Sequence, residues 1–278
     1  MELIEGSIMW RDEIFEFTKG LAREAGELVR RERKQGISRG FKNGRELVTS
    51  ADTNADRLIS ERIRARFPGH RIISEELAPE YGWVEADAHD LWIVDPIDGT
   101  VNFAHGHNQS AVCIAYIDQG DIVCGVVYNP FTDEMFCAAK GGGAFLNGDP
   151  ISCSKETELR LALIATGFPY TKVEIEILYR RVQVILNHCA DIRRLGSAAL
   201  DICWVAMGRL DGFYESLSLW DFAAAQIIAR EAGATYGHFH PVPEGIPPQF
   251  HGQNILVANP RLFPQLKALL SAVDYPDG

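Results

Sequence analysis

Asp95 and Asp98 stand three residues apart, with Thr100 two further on, in the run Trp92-Ile93-Val94-Asp95-Pro96-Ile97-Asp98-Gly99-Thr100-Val101-Asn102-Phe103. Carboxylates that close repel each other, so a cation between them is the natural complement, and an all-oxygen donor set suits a hard divalent one. The preceding apolar run, Leu91 to Val94, is too short for a helix and reads as a buried strand. Pro96 fixes its own φ and lacks an N–H, which predicts the end of the strand's ladder there, and Gly99 then turns the chain. The two carboxylates would sit at a strand exit, where side chains reach solvent from a rigid base. Asp-Pro and Asp-Gly pairs also make ordinary turns, so this spacing alone does not separate a turn from a site. The weight comes from further acidic residues in order along the chain. Ser74-Glu75-Glu76 lies about 20 residues upstream after its own short strand, and Trp220-Asp221 lies far downstream at a predicted helix start.

Together the three stretches resemble the inositol monophosphatase family, within the larger group of lithium-sensitive, magnesium-dependent phosphatases, and the resemblance covers nearly the whole chain. It implies an α+β fold, a layered αβαβα sandwich, usually dimeric. Residues 1–278 would form one such domain, with an N-terminal half to about 155 and a C-terminal half from about 156. It also implies two or three Mg²⁺ ions. Asp95 would bridge two of them, Glu75 and the backbone carbonyl of Ile97 would serve the first, and Asp98 and Asp221 the second. Thr100, with Asp52 behind it and Glu75 beside it, would orient the attacking water. The Gly99-Thr100 backbone would hold a phosphate oxygen, and Gly196-Ser197-Ala198, Glu215 and Asp221 would contact the rest of the substrate. Lys42 falls near the family's mobile-loop lysine, one residue closer to Asp52 than in relatives. The step from Glu215 to Asp221 is also one residue shorter than in the animal enzymes, and the loop Ser216 to Leu219 differs from theirs in composition.

Composition bounds the rest. With 27 basic and 38 acidic residues the formal net charge is −11, which argues against a generic nucleic-acid or anionic-membrane binder. An anionic substrate must therefore be drawn in by local charge. The six cysteines are scattered, without zinc-like spacing, and sit in apolar contexts as small core residues. The N-terminal stretch lacks the basic-then-apolar order of a signal peptide, and no apolar run approaches ~20 residues. A cytoplasmic protein with reduced thiols is expected.

The elements that must position these residues follow from periodicity. Ile14, Phe17, Leu21, Ala25, Leu28 and Val29 recur at helical spacing from about Trp10 to Arg33. Asn43-Gly44 marks a hairpin turn before a short β-like run, and a helix follows Asp52 to Phe67, with Asp52 as either a cap or a site residue. A strand at Arg71–Ser74 precedes Glu75. Ser110 to Asp118, Asp121 to Asn129 and Glu134 to Ala139 read as an antiparallel meander. Gly141-Gly142-Gly143 lacks a following helix and a Lys-Ser/Thr ending, so it reads as a tight turn and not a phosphate loop. Gly143 to Gly148 matches the family's structural G-x-x-x-N-G.

In the second half a strand is expected from Leu159 to Thr166, a helix from Val173 to His188 and a short strand at Asp191 to Arg194. A helix opening at Gly196-Ser197-Ala198 offers N–H groups either to a bare cap or to a hydroxyl or anion. A strand follows from Leu210 to Tyr214, then a helix from Phe222 to Ala232 with Asp221 at its entrance. Asn254 to Ala258 would be a strand and Pro260 to Leu270 a closing helix with Pro in its first turn. His105 and His107 flank Gly106 just after the motif, in a loop.

The chemistry implied is hydrolysis of a small phosphate monoester by metal-activated water. Inositol 1-phosphate leads, with histidinol phosphate, fructose 1,6-bisphosphate and nucleotide 3′-phosphates as alternatives within the family. An accessory binding protein in transcription is the alternative of a different class.

Overall fold

The computed structural model describes residues 2–42, 44, 46–77, 79, 84–169 and 175–274. The chain begins with a long helix α1 (Glu2–Gln35), a hairpin of β1 (Arg39–Lys42) and β2 (Glu46–Thr49), and helix α2 (Ser50–Arg66). Helix α1 starts earlier than the apolar stripe from Trp10 suggested, and Asn43 of the expected turn lies outside the described residues. A seven-stranded sheet follows: β3 (Arg71–Ser74), β4 (Leu91–Asp98), β5 (Ala111–Asp118), β6 (Asp121–Asn129), β7 (Glu134–Ala139), β8 (Ala144–Leu146) and β9 (Asp149–Pro150), in that spatial order. A short helix α3 (Thr100–Ala104) hangs between β4 and β5.

The second sheet has five strands: β10 (Leu163–Thr166), β11 (Asp191–Arg193), β12 (Gly212–Glu215), β13 (Thr235–His238) and β14 (Ile255–Ala258), in the order β11-β10-β12-β14-β13. Its helices are α4 (Ile175–Leu186), α5 (Ala198–Ala206), α6 (Leu219–Glu231) and α7 (Phe263–Asp274). The first half of the expected strand from Leu159 is instead a 3-10 turn, Leu159–Leu161. Residues 173 and 174 of the expected helix lie outside the described residues. Pro260 precedes α7, and Pro264 occupies the first turn in its place.

Alternation along β4 explains the layering. Trp92 and Val94 face one way, into a core with Ile14, Leu21, Ala25 and Ile59 of α1 and α2. Leu91 and Ile93 face the other way, into a core shared with α5, α6 and the inner side of the second sheet. Ile164, Tyr214 and Leu256 point outward from that sheet onto Ile185 of α4 and Leu266 and Leu270 of α7. The period-2 pleat thus yields five layers, α(1,2)–β–α(5,6)–β–α(4,7).

The middle layer is the tightest. Helix α6 is buried all round by Ala223, Ala224, Ala225, Ile228 and Ala229, as a helix between two sheets must be. Its closest approach is at Gly125 of β6, where an added Cβ would lie 2.5 Å from the Ala224 carbonyl oxygen and 2.7 Å from Ile227 Cγ2. The alanines that follow Trp220-Asp221 are therefore there to let this helix fit, and the fit places Asp221 against β4.

Gly125→Ala should accordingly destabilise the protein by about 1–3 kcal/mol through overpacking. Urea unfolding measures this, and an unchanged midpoint would show that α6 can back away from β6.

Candidate active site

Strand β4 does not stop at Pro96 as expected. It runs on to Asp98, with a register shift between Asp95 (opposite Cys113) and Asp98 (opposite Ala111). Proline is tolerated at such a bulge because the bulged residue needs no ladder N–H. The bulge brings Asp95 and Asp98 to the same end of the strand. The backbone N–H of Ile97 donates to Asp95 Oδ1 at 2.9 Å. Gly99 follows at φ +87°, where a Cβ would also lie 2.8 Å from the Gln109 carbonyl oxygen and 3.0 Å from that of Gly196. Glycine is required here on both counts.

Two capping aspartates complete the arrangement from helix starts. Thr49 caps α2, and its N–H donates to Asp52 Oδ2 at 2.9 Å, closing a capping box. The other oxygen, Oδ1, faces the Thr100 hydroxyl at 2.9 Å. That hydroxyl also lies 3.0 Å from the Ile97 carbonyl oxygen, so its single proton serves one acceptor at a time. Asp221 repeats the device on α6, where the Ser218 N–H donates to Asp221 Oδ2 at 2.8 Å. Both aspartates therefore act as helix caps, and capping with one oxygen leaves the other available.

Asp95, Asp98 and Asp221 each bring one carboxylate oxygen to within 4.8 Å of the others. Three convergent oxygens of this kind are a donor set that fits a hard divalent cation, and their repulsion is relieved by such an ion or by a proton. Glu75 stands beside them with its carboxyl in hydrogen-bonding contact with Asp95, and Lys42 donates to Glu75 Oε1 at 2.9 Å and pairs with Glu76. Lys42 therefore reaches the site despite its shortened spacing.

Gly196-Ser197-Ala198 departs from expectation. The Ser197 hydroxyl donates to Asp98 Oδ2 at 2.5 Å and the Ala199 N–H to the same oxygen at 2.9 Å. The start of α5 is therefore taken up in holding Asp98, with Ser197 buried, and none of the three residues lines the cleft. The glycine turn at 141–143 is likewise filled by the protein itself: the Gly141 and Gly143 N–H groups donate to the two oxygens of Glu231.

Burial and mutual repulsion dominate the electrostatics. Burial, then Glu75, Asp98 and Asp221, push the Asp95 carboxyl far above the usual range, and burial with Asp98 does the same at Asp221. Asp98 is pushed up only to about 6, because bonds from Ser197 and α5 oppose its burial. Burial raises Glu76 to about 7 against Lys42. It raises Glu215 to about 8, with Arg194 opposing and Asp98 adding to the rise. Burial also raises Asp52, against its bonds from Thr49 and Thr100.

The cluster floors a cleft of about 480 Å³. Glu215 lines it as expected, with its carboxyl packed where a Cβ on Gly167 would sit. The other wall is Phe168, Ile177, Leu178 and Arg181, with Gln253 and Ser216 beyond. Sequence reasoning missed this wall, since residues on one face of an amphipathic helix carry no mark of what they face. It also missed Asp56, buried on α2, which accepts the N–H groups of Glu76 and Leu77 at 3.1 Å each. Asp56 thereby fixes the turn that presents Glu75; a second aspartate one helical turn after Asp52 was the available signal. His105 and His107 are exposed and lie outside the cleft.

Comparison with known proteins agrees in fold and sequence. The sequence model of the inositol monophosphatase family matches residues 10–274. "Nus factor SuhB" of Escherichia coli K12 is 38% identical over 255 residues, covering 90% of this chain and 91% of its own. An inositol-1-monophosphatase of Rhizobium meliloti is 39% identical over 227 residues, covering 79% and 80%. The crystal structure of the extragenic suppressor protein SuhB from Bartonella henselae superposes with a TM-score of 0.84 at 34% identity, covering 93% of this chain and 98% of that one.

The shifts set a pH dependence of stability. Glu215, Glu76 and Asp98 all titrate higher in the folded chain than in the unfolded one, so folding takes up protons between the two values. The ionic penalty is absent below the ordinary carboxylate range and complete once pH passes the raised value of about 8 at Glu215. The metal-free protein should therefore lose thermal stability as pH rises from about 5 to 8, and Glu215→Gln should flatten that fall. Added Mg²⁺ should raise Tm more at pH 8 than at pH 5. A Mg²⁺ stabilisation independent of pH would count against cation binding to these carboxyls.

Proposed function

The chain belongs to the inositol monophosphatase family and is a phosphomonoesterase, and we propose that it hydrolyses a small polyol or sugar phosphate with Mg²⁺ held by Glu75, Asp95, the Ile97 carbonyl, Asp98 and Asp221. Inositol 1-phosphate is the reference substrate, in keeping with the name of the Rhizobium relative. One observation carries the reading: three carboxylate oxygens converge within 4.8 Å beside a threonine hydroxyl hydrogen-bonded to a buried aspartate. Magnesium, when bound, neutralises the carboxylates and supplies positive charge to the phosphate and to the attacking water.

The chain's own residues do the rest. A Thr100 hydroxyl that donates to Asp52 keeps its lone pairs for a water in the cleft, and Asp52 is rigid because it is also a helix cap. Gly99, without a Cβ, lets the backbone approach a phosphate oxygen. Ser197 and the Ala199 N–H act through Asp98, whose orientation they fix. Glu215 faces the cleft and is suited to a substrate hydroxyl. Lys42 and Glu76 set the charge around Glu75. Family membership further supports a homodimer and inhibition by lithium.

The relatives named for a Nus factor keep a binding role in transcription as the reading of a different class. The net charge of −11 speaks against direct RNA contact. The two readings separate by variant, since a surface-borne partner role survives loss of a carboxylate inside the cleft.

Asp98→Asn should lower Mg²⁺-dependent phosphate release from inositol 1-phosphate by about 10³-fold or more, and Thr100→Val by about 10²–10⁴-fold. Circular dichroism should be preserved in both. Full activity in folded Asp98→Asn would remove the aspartate cluster from the chemistry.

A further inference from the structure

The end of the segment between β13 and β14 returns along the cleft, where Gln253 lines the space together with Ser216 and Leu217. The segment bonds that wall twice. The Leu217 N–H donates to the Gly252 carbonyl oxygen at 2.7 Å, and the Asn254 N–H donates to Ser216 Oγ at 3.0 Å. The fit is close, because a Cβ on Gly252 would overlap the Leu217 carbonyl oxygen. His238, the buried last residue of β13, ties the segment at both ends. Its Nδ1 lies 2.8 Å from the Gln253 carbonyl oxygen. Its Nε2 lies 3.0 Å from that of Pro248, at the start of a 3-10 turn (Pro248–Phe250). Both acceptors are carbonyl oxygens, which cannot donate, whereas a neutral imidazole carries one N–H and one lone pair. A neutral ring therefore makes one of these bonds and sets a buried lone pair against the other oxygen. Only the imidazolium makes both, and each is then charge-assisted.

We propose that His238 is a positioning residue: as an imidazolium it staples residues 248–253 at both ends and so holds Gln253, Ser216 and Leu217 at the cleft, and on losing a proton it releases one end. The use of that wall for substrate rests on the phosphatase reading above. The groups around the ring allow the assignment. His251, within the stapled segment, stands 5.2 Å away between ring centres, and burial, then His238, lower its affinity for a proton. Tyr236 meets the ring edge-on at 6.0 Å, and Arg230 of α6 lies 5.1 Å from the centre of the Tyr236 ring. Arg181 of α4 and His240 both lie against the next residue, Phe239. Glu215 of β12 stands on the far side of β14, since it and His238 both pair with Ile255. Among the described residues no carboxylate bonds the ring, and its two nitrogens face the two carbonyls.

The test measures kcat, KM and the Mg²⁺ dependence of phosphate release from inositol 1-phosphate at pH 6 and pH 9. It compares the wild type with His238→Asn and His238→Gln, with thermal melts to confirm folding. Asn places an amide N–H near the position of Nδ1 and Gln near that of Nε2, so each keeps at most one tie and is neutral at both pH values. At pH 6 the wild type should exceed both variants by about 2- to 10-fold in kcat/KM, the range of one net hydrogen bond. The difference should lie in KM and not in the Mg²⁺ dependence, and at pH 9 the ratio should fall towards one. Other groups that titrate in the cleft act on wild type and variants alike and cancel in the ratio. A ratio equal at both pH values, or a loss carried by the Mg²⁺ dependence alone, overturns the proposal while leaving the phosphatase reading intact. So does a pH dependence that disappears in a His251→Gln background, since it would belong to the neighbouring ring. Absence of Mg²⁺-dependent release from the wild type overturns the phosphatase reading, and hydrogen exchange then decides the staple by itself. Residues 214–222 and 248–254 should exchange faster in the variants than in the wild type at pH 6 and alike at pH 9; equal exchange at pH 6 overturns the staple.

Discussion

Repulsion among Asp95, Asp98 and Asp221 is the constraint on which the rest of the structure depends. Unit charges at the 4.8 Å that bounds their oxygens oppose each other by about 3 kcal/mol per pair at an effective dielectric near 20. A fold that presses three such groups together must either neutralise them or hold them by force. This one does part of each. Asp95 accepts the Ile97 N–H, Asp98 accepts Ser197 and the first turn of α5, and Asp221 accepts the Ser218 N–H at the start of α6. Two of the three anchors are helix N-termini, whose partial positive charge suits an anion. The hydrogen bonds fix one oxygen of each carboxylate, and one oxygen of each lies within 4.8 Å of the others.

That division of oxygens ties stability to the site. Asp52 and Asp221 both sit at the third position of their helices, closing capping boxes with Thr49 and Ser218. Deleting either carboxylate removes half of a capping box, worth about 1 kcal/mol, along with the acceptor for Thr100 at Asp52 or a member of the carboxylate cluster at Asp221. Relief of repulsion acts in the opposite direction at Asp221, whose neighbours raise its affinity for protons. At Asp52 the opposing term is burial, so its removal relieves desolvation instead. The two aspartates have the same local geometry and different energetic environments because one faces carboxylates and the other a hydroxyl.

Much of this was legible in the chain. The β4 motif, Glu75, the meander and the helix at Trp220-Asp221 stand out because short-range chemistry dictates them: apolar alternation, proline and glycine at fixed offsets, carboxylates at element ends. Three things were not. The bulge at Pro96 depends on β5 supplying Cys113 and Ala111 as partners, and pairing across strands leaves no local trace. The role of Ser197 depends on Asp98 lying 99 residues earlier in the chain, so a bare cap and a cap turned to a distant carboxylate look the same in sequence. Strand β13 is a polar, half-buried edge partner of β14, with too little alternation to announce itself.

The cleft divides its labour along the same line. Its floor comes from β4, α3 and the start of α6, and in the proposed reading those residues take the phosphate ester common to every substrate. Binding energy common to all substrates cannot discriminate between them, because selectivity is a difference between transition-state affinities. In the proposed reading discrimination therefore falls to the wall drawn from 166–169, 177, 178, 181, 214–218 and 253. This is where Gly167 makes room for the Glu215 carboxyl and the Arg181 guanidinium lies 4.8 Å from the centre of the Phe239 ring. The Glu215 carboxyl, raised to about 8 by burial, gives that wall a polar group suited to a hydroxyl. Under the proposed reading, such a group can orient a substrate that the carboxylate floor admits.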